Sequence, residues 1–197
     1  MSSDTAPTPN RREVLATIAA AALAGPLNAQ SAQHVHDTAA QAKAAAGGVY
    51  KPRTLTAAEY KTLETLCELT VPGASKGNAA EFIDTLCTGS KPLTAIYTAG
   101  IAWLNAEMQR RYEADFQAAT TEQRTALLTL IAYRKNASPA LNPGIEFFDW
   151  VRRMTLDAYF TSKAGIAELG FKGNGAVAEY QVPLASLNYV KGRTNLL

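Results

Sequence analysis

The sequence has 197 residues, of which 47% are hydrophobic and 18% are charged, a composition that fits one compact domain with tails and excludes a large multidomain architecture. The formal net charge is only +2 and the charges are scattered, which excludes a surface that follows nucleic-acid phosphates. The two histidines both lie near the N-terminus, so the rest of the chain has no histidine for a metal site or a catalytic triad.

Residues 1–29 have the layout of an export signal. Arg11 and Arg12 form a paired positive region, and a run of small apolar residues follows over 14–24. The string over residues 10–15, Asn-Arg-Arg-Glu-Val-Leu, resembles the twin-arginine export motif, with valine where phenylalanine is usual. The sequence therefore predicts export to the periplasm by the twin-arginine translocase.

The apolar run is too short to anchor the chain in a membrane. It has about half the length that a bilayer-spanning helix needs, and alanine dominates it. We expect signal cleavage after Ala29, although the small residues Ala22 and Ala24 form an equally suitable pair upstream. The alternative, an amphipathic surface helix, is disfavoured because the run has no polar face.

Residues 30–53 are predicted to form a flexible linker. They are rich in Gln, Ala and Gly and contain few large apolar side chains, and Gly47, Gly48 and Pro52 would interrupt regular structure. His34 and His36 lie in this segment without a third metal ligand nearby. We expect both imidazoles to be solvated.

Residues 54–162 are predicted to form an all-α domain, a compact bundle of about five helices, because no long stretch alternates apolar and polar residues. Capping boxes, in which a threonine is followed three residues later by Glu or Gln, mark two of the helix starts. The predicted helices run from Thr56 to the turn at Pro72, from Ala79 to Cys87, from Pro92 to about Tyr112, from Thr120 to the turn at Asn136, and from about Gly144 to Thr161.

Residues 163–197 are predicted to form an irregular tail. Gly165, Gly170, Gly173 and Gly175 interrupt the first part of the segment, and we expect no helix of useful length. The tail nevertheless carries much aromatic and aliphatic surface, which suggests that it wraps either its own domain or a partner. The candidate interface residues are Phe171, Tyr180, Leu184 and Tyr189, together with the loop over residues 73–78.

The two cysteines, Cys67 and Cys87, leave three alternatives open. An oxidising compartment permits disulfides, and a helical hairpin could bring the two residues to similar height. The alternatives are an intramolecular bridge, two free buried thiols, or a bridge from one cysteine to another chain. Spacing along helices alone does not fix the Cα separation that a bridge requires.

No constellation for independent catalysis is found. The sequence contains no dinucleotide-binding or P-loop glycine motif and no paired-cysteine cluster. Carboxylates are available at Glu59, Glu64, Glu68, Glu81 and Asp84, but on such helices we expect them on solvated faces. We predict no catalytic, cofactor-binding or metal-binding residue in this chain. If the chain acts alone, a helical binding or scaffold protein is the first alternative, and an independent enzyme is the second.

Several short strings, in a fixed order, resemble the family called gluconate 2-dehydrogenase subunit 3. The resemblance covers roughly residues 54–180, and the last 17 residues of the chain lie outside the pattern. The strings are Thr54–Glu59, Val71–Pro72, Ala80–Asp84, Tyr97–Ile101, Asp115–Phe116, Phe147–Phe148, Ala158–Ser162 and Gly165–Asn174.

The resemblance implies a non-catalytic small subunit of a periplasmic FAD-dependent dehydrogenase for sugars or polyols. The flavin would then be held by a catalytic partner of the glucose-methanol-choline type, and haem c by a third, multihaem cytochrome c subunit. In such complexes the small subunit helps the flavoprotein to fold and carries it through twin-arginine export. The resemblance assigns no cofactor to this chain, and any association with the membrane would come through the partners.

Overall fold

A computed structural model describes residues 29–171 and 182–193 of the chain, and these residues contain helices and no strand. The all-α prediction is confirmed. Eight α-helices are defined in this part of the chain, with short 3-10 turns at Ala74–Gly77 and Arg134–Asn136. The helices are α1 (Ala29–Ala45), α2 (Ala57–Thr70), α3 (Ala79–Gly89), α4 (Lys91–Tyr112), α5 (Thr121–Ile131), α6 (Asn142–Phe160), α7 (Lys163–Glu168) and α8 (Leu184–Lys191).

The five helices predicted between residues 54 and 162 are present as α2 to α6. Both predicted capping boxes form: the Thr56 hydroxyl accepts the Glu59 amide, and the Thr120 hydroxyl accepts the Gln123 amide. Helix α4 begins after Ser90, whose side chain caps it. These local interactions explain why the helix starts could be predicted from sequence within a few residues.

Helix α6 lies at the centre of the bundle and packs against α2, α3, α4 and α5. It contributes a continuous buried stripe because its core residues recur every three to four positions. The stripe consists of Ile145, Phe147, Phe148, Val151, Met154, Thr155 and Ala158, all less than 9% exposed. The opposing side chains include Leu63, Phe82, Tyr97, Leu104 and Leu127.

The structure differs from the sequence prediction over residues 30–53, where a flexible linker was expected. Residues 29–45 instead form α1, which packs against α3. Ala32 and Ala39 are buried, and Lys43 forms an ion pair with Glu81 at 3.2 Å. A lack of large apolar residues did not prevent docking, because alanine favours helices and lets two helices approach closely. His36, expected to be solvated, is half-buried against the Phe82 ring.

The connection from α1 to α2 is fixed by one buried carboxylate. Asp84 on α3 is fully buried and accepts the Tyr50 hydroxyl at 2.8 Å. It also accepts three consecutive backbone amides, from Arg53 at 2.8 Å, Thr54 at 3.3 Å and Leu55 at 3.0 Å. The expectation that Asp84 lies on a solvated face is therefore wrong. We call this arrangement the Asp84 clamp.

The segment after Ser162 also differs from the prediction of an irregular tail, because it contains two short helices. Ser162 caps α7 by accepting the Gly165 amide at 3.1 Å, and α7 packs against α6. Gly165 is required there, because a Cβ at this position would lie 2.1 Å from the Tyr159 carbonyl oxygen. Helix α8 contains no buried residue.

Candidate partner-binding surface

Exposed large hydrophobic side chains concentrate in the C-terminal part of the chain. Of the eleven found among the described residues, eight follow residue 165. These eight are Ile166, Leu169, Phe171, Val182, Leu184, Leu187, Tyr189 and Val190. Single exposed apolar residues are ordinary, but a group of this size in one short segment is typical of a surface that binds another molecule.

The first part of this surface is attached firmly to the bundle. The Tyr159 hydroxyl donates a hydrogen bond to the Glu168 carboxylate, and Ser162 caps the helix start. Helix α7 is thereby held against α6, while Leu169 and the predicted interface residue Phe171 remain about 60% exposed. Phe171 thus presents its ring to solvent from a rigid base.

A second group of exposed apolar side chains lies on α8. Leu184 and Leu187 are one turn apart and lie on one face, which Val190 extends. The predicted interface residue Leu184 is 76% exposed, the most exposed large hydrophobic side chain in the described residues. Tyr189 points to the opposite face, where the Arg193 guanidinium lies 4.5 Å from its ring centroid and donates to its hydroxyl.

Of the other predicted positions, Tyr180, Arg11 and Arg12 lie outside the described residues. Ala29, the predicted cleavage position, is the first residue of α1. The loop over residues 73–78 packs largely on its own domain: its 3-10 turn contacts α6 and α7, and the Glu68 carboxylate accepts the Gly73 amide at 2.6 Å. That hydrogen bond lowers the pKa of Glu68 and keeps the carboxylate charged.

Both cysteines are free, buried thiols in the structure. Cys67 lies between α2 and α6, where Thr155 Oγ1 donates to its sulfur at 3.4 Å. Burial raises the pKa of both thiols to about 12, because the thiolate would lose its hydration. Neither sulfur is on the surface, so this arrangement offers no bridge to another chain.

Because both thiols are buried, we expect them to be unreactive in the native protein. The thiol reagent DTNB is expected to modify neither Cys67 nor Cys87 in the native protein at pH 8, and to modify both after denaturation in guanidinium. Absorbance of the released thionitrobenzoate measures this directly. A denatured, unreduced chain that releases none would instead establish an intramolecular disulfide.

The grooves on the described surface are shallow and lack convergent catalytic groups. The groove between α2 and α3, about 380 Å³ in volume, carries Glu64, Glu68 and Glu81. Two of these carboxylates are in ion pairs, Glu64 with Lys61 and Glu81 with Lys43. No group of three or more His, Cys, Asp or Glu side chains suited to a metal ion occurs in the described residues.

No helix in the same part of the chain is long and apolar enough to cross a membrane.

Sequence reasoning missed the apolar face of α8 and the Asp84 clamp. A signal was present for the helix, because Leu184, Leu187 and Val190 have the three-residue spacing of a short helix. The sequence around Asp84 carries no comparable signal.

Comparison with known proteins agrees with the sequence resemblance. The model of the family described as gluconate 2-dehydrogenase subunit 3 matches residues 57–177, which is more than half of the chain. The match extends from α2 through α7 and thus includes the whole central bundle and Phe171. Among curated proteins and solved structures, none matches this chain. The chain therefore belongs to the gluconate 2-dehydrogenase subunit 3 family.

Proposed function

We propose that this chain is the non-catalytic small subunit of a periplasmic FAD-dependent dehydrogenase that oxidises a sugar or polyol. Its role is to support folding of the catalytic flavoprotein and to carry that partner through twin-arginine export. A multihaem cytochrome c subunit would receive the electrons. Membership of a dehydrogenase subunit family supports the existence of a catalytic partner chain.

The observation that carries the proposal is the concentration of exposed apolar side chains in the C-terminal part of the chain. In a chain that worked alone, Leu169, Phe171 and Leu184 would stay in water and would contribute no hydrophobic free energy of burial. Burial against a second chain recovers that free energy and makes the folded pair more stable than either part. The surface thus favours a subunit over a stand-alone scaffold.

The carrier role is tested by disabling the arginine pair. In the native host, the double replacement Arg11→Lys and Arg12→Lys is expected to leave both this chain and the active flavoprotein in the cytoplasm. Dehydrogenase activity and the flavin spectrum of periplasmic and cytoplasmic fractions measure the outcome. The matched control replaces Arg110 and Arg111 with lysine, since this exposed adjacent pair lies on α4, outside the signal.

Two outcomes would contradict the proposal. Normal periplasmic activity in the Arg11 and Arg12 variant would show that the flavoprotein does not depend on this chain for export. A wild-type chain that purifies from the periplasm alone and colourless would show that it has no flavoprotein partner, and a stand-alone helical protein would then be the better description.

A further inference from the structure

Helix α1 is held on the bundle by small and polar contacts. Its buried apolar residues are Ala32 and Ala39, and the side chains of Val35 and Ala42 are partly buried. These residues remove little apolar surface from water, so their burial stabilises the docked helix only weakly. Elements with few buried apolar contacts open at a lower free energy than the rest of a domain. Helix α1 is therefore an element whose position one added charge can change.

His36 lies on the docked face of α1 and joins this helix to two others. Its imidazole contacts the Phe82 ring on α3, with the ring centroids 4.7 Å apart, and its Nε2 lies 3.0 Å from Thr161 Oγ1, just after the end of α6. The Thr161 hydroxyl donates to the Asp157 carbonyl oxygen at 2.6 Å. Because a hydroxyl has one proton to donate, Thr161 Oγ1 accepts the Nε2–H of His36. The neutral ring satisfies this hydrogen bond.

The surroundings of His36 favour its neutral form. Burial lowers the pKa of His36, because the charged ring would lose hydration that its neighbours do not replace. The Ala158 carbonyl and the Asp37 carboxylate raise the pKa of His36, but by less than burial lowers it. The Phe82 ring attracts a cation, yet this attraction replaces only part of the lost hydration.

The charged side chains around His36 do not supply a contacting partner for an imidazolium. Those within about one helical turn of its contacts, or in the same groove, are Asp37, Lys43, Glu81, Asp84, Asp157 and Lys163. Glu81 is paired with Lys43 at 3.2 Å, and Asp84 accepts the four donors of the clamp. Asp37 is exposed to solvent, and burial raises the pKa of Asp157, which disfavours its charge.

The connection after α1 can serve as a hinge. Gly47 and Gly48 follow the helix with φ values of 79° and 90°, and a Cβ at either position would have no atom within 4 Å. Such glycines can change φ and ψ without a steric penalty. Beyond them, Tyr50 and the backbone of residues 53–55 are fixed by the Asp84 clamp. Helix α1 can therefore leave α3 while the rest of the chain stays in place.

We propose that α1 is a pH-sensitive strap, which lies on α3 while His36 is neutral and swings away about Gly47 and Gly48 once His36 is protonated. The inference is independent of the proposed function, because it uses only contacts within this chain. The ordinary pKa of histidine is about 6.5. Since the docked value is lower, docking is fully supported above about pH 6.5 and is lost as the pH falls through the lowered pKa.

Hydrogen exchange of the full chain, followed by mass spectrometry of peptides from α1, tests the strap. Dividing the exchange rate of an unfolded peptide at each pH by the measured rate gives a protection factor, which removes the intrinsic effect of pH. Between pH 7.5 and pH 5.5 the protection of α1 is expected to fall at least about threefold, because protonation favours the undocked helix. The protection of α4 is expected to stay within about twofold.

Two variants assign the change to one ring. His36→Gln keeps an N–H donor for Thr161 but cannot gain a charge, so the protection of α1 is expected to be equal at both pH values. His34→Gln is the matched control, because His34 is an exposed histidine on the same helix, and it is expected to retain the wild-type fall. If His36→Gln loosens α1 at both pH values, NMR of the wild type decides: its His36 ring proton is expected to titrate below about pH 6.5.

Four results would overturn the strap. The first is protection of α1 that does not change between the two pH values. The second is an equal fall in His36→Gln, which would assign the change to another group such as Asp157. The third is an equal fall in α3 and α6, which would show that acid loosens the whole bundle. The last is a His36 ring that titrates at or above about pH 6.5.

Discussion

Asp84→Ala is expected to destabilise the folded chain by about 3 to 5 kcal/mol, because it removes the acceptor for four donors at once. The buried Leu55 amide would lose its acceptor, and the Tyr50 hydroxyl would keep only its longer contact with Thr85 Oγ1 at 3.3 Å. The melting temperature is expected to fall by about 10 °C. Urea unfolding followed by circular dichroism at 222 nm measures the free energy directly.

Two further variants separate the clamp from the packing around it. Asp84→Asn keeps the shape but turns one acceptor oxygen into a donor that faces other donors, so we expect a loss of about 2 to 4 kcal/mol. Asp37→Ala, at an exposed carboxylate on α1, is expected to change stability by less than about 0.5 kcal/mol. Near-equal stabilities of wild type and Asp84→Ala would contradict the clamp.

The clamp also makes a local prediction, which the same variants test. Release of residues 50–55 would open the backbone after Arg53, whose side chain is already exposed, to trypsin, whereas the bond after Lys51 precedes Pro52 and resists this protease. Limited proteolysis is therefore expected to cut Asp84→Ala first between α1 and α2, which removes α1 from the domain. Cleavage that begins elsewhere would show that Asp84 stabilises the bundle generally rather than this connection.

The central bundle could be predicted from sequence because its signals are local. Thr56 with Glu59 and Thr120 with Gln123 mark helix starts within four residues, and the stripe on α6 repeats with the helical period. These signals can be recognised from neighbouring residues alone, without knowing which helices pack against each other. The helices from α2 to α6 were therefore placed correctly.

The docking of α1 and the role of Asp84 depend on residues that are distant in sequence. Ala32 and Ala39 contribute little apolar area, so their burial follows from the shape of α3 and not from their own hydrophobicity. The donors to Asp84 are backbone amides some 30 residues earlier, which carry no sequence signature. Both features require the three-dimensional contact before they can be recognised.

The predicted interface residues stay a prediction. Phe171 and Leu184 were expected at an interface because the tail is rich in aromatic and aliphatic residues, and both are exposed in the structure. The two faces of α8 could not be distinguished while the segment was taken as irregular, so Tyr189 was grouped with Leu184. The helix separates them, because residues five apart in sequence lie about 140° apart around its axis.

Gly100→Ala is expected to lower stability by about 2 kcal/mol or more, although alanine is the better helix former. Gly100 lies at the crossing of α4 and α6, where a Cβ would be 2.0 Å from Phe147 Cδ2. The Phe147 ring has no free space into which to move, because it is 3% exposed and packs edge-on against Tyr97 with centroids 5.9 Å apart. The added methyl group must therefore push the two helices apart.

Gly89→Ala is the matched control for this contact. Gly89 is also helical, but a Cβ there has no atom within 4 Å, so the substitution is expected to stabilise the chain by about 0.5 kcal/mol. Thermal unfolding of the two variants is expected to move the melting temperature in opposite directions. A melting temperature for Gly100→Ala at or above that of wild type would contradict the close packing of α4 on α6.

A double-mutant cycle identifies Phe147 as the cause of the loss. Phe147→Leu alone is expected to cost about 1 kcal/mol, because it shortens a buried side chain. In the Gly100→Ala background the same change is expected to cost less, or even to stabilise, because the smaller side chain makes room for the new methyl group. Strictly additive losses would show that the alanine collides with the helix backbone instead, and that the close approach of α4 and α6 does not depend on the aromatic ring that lies between them.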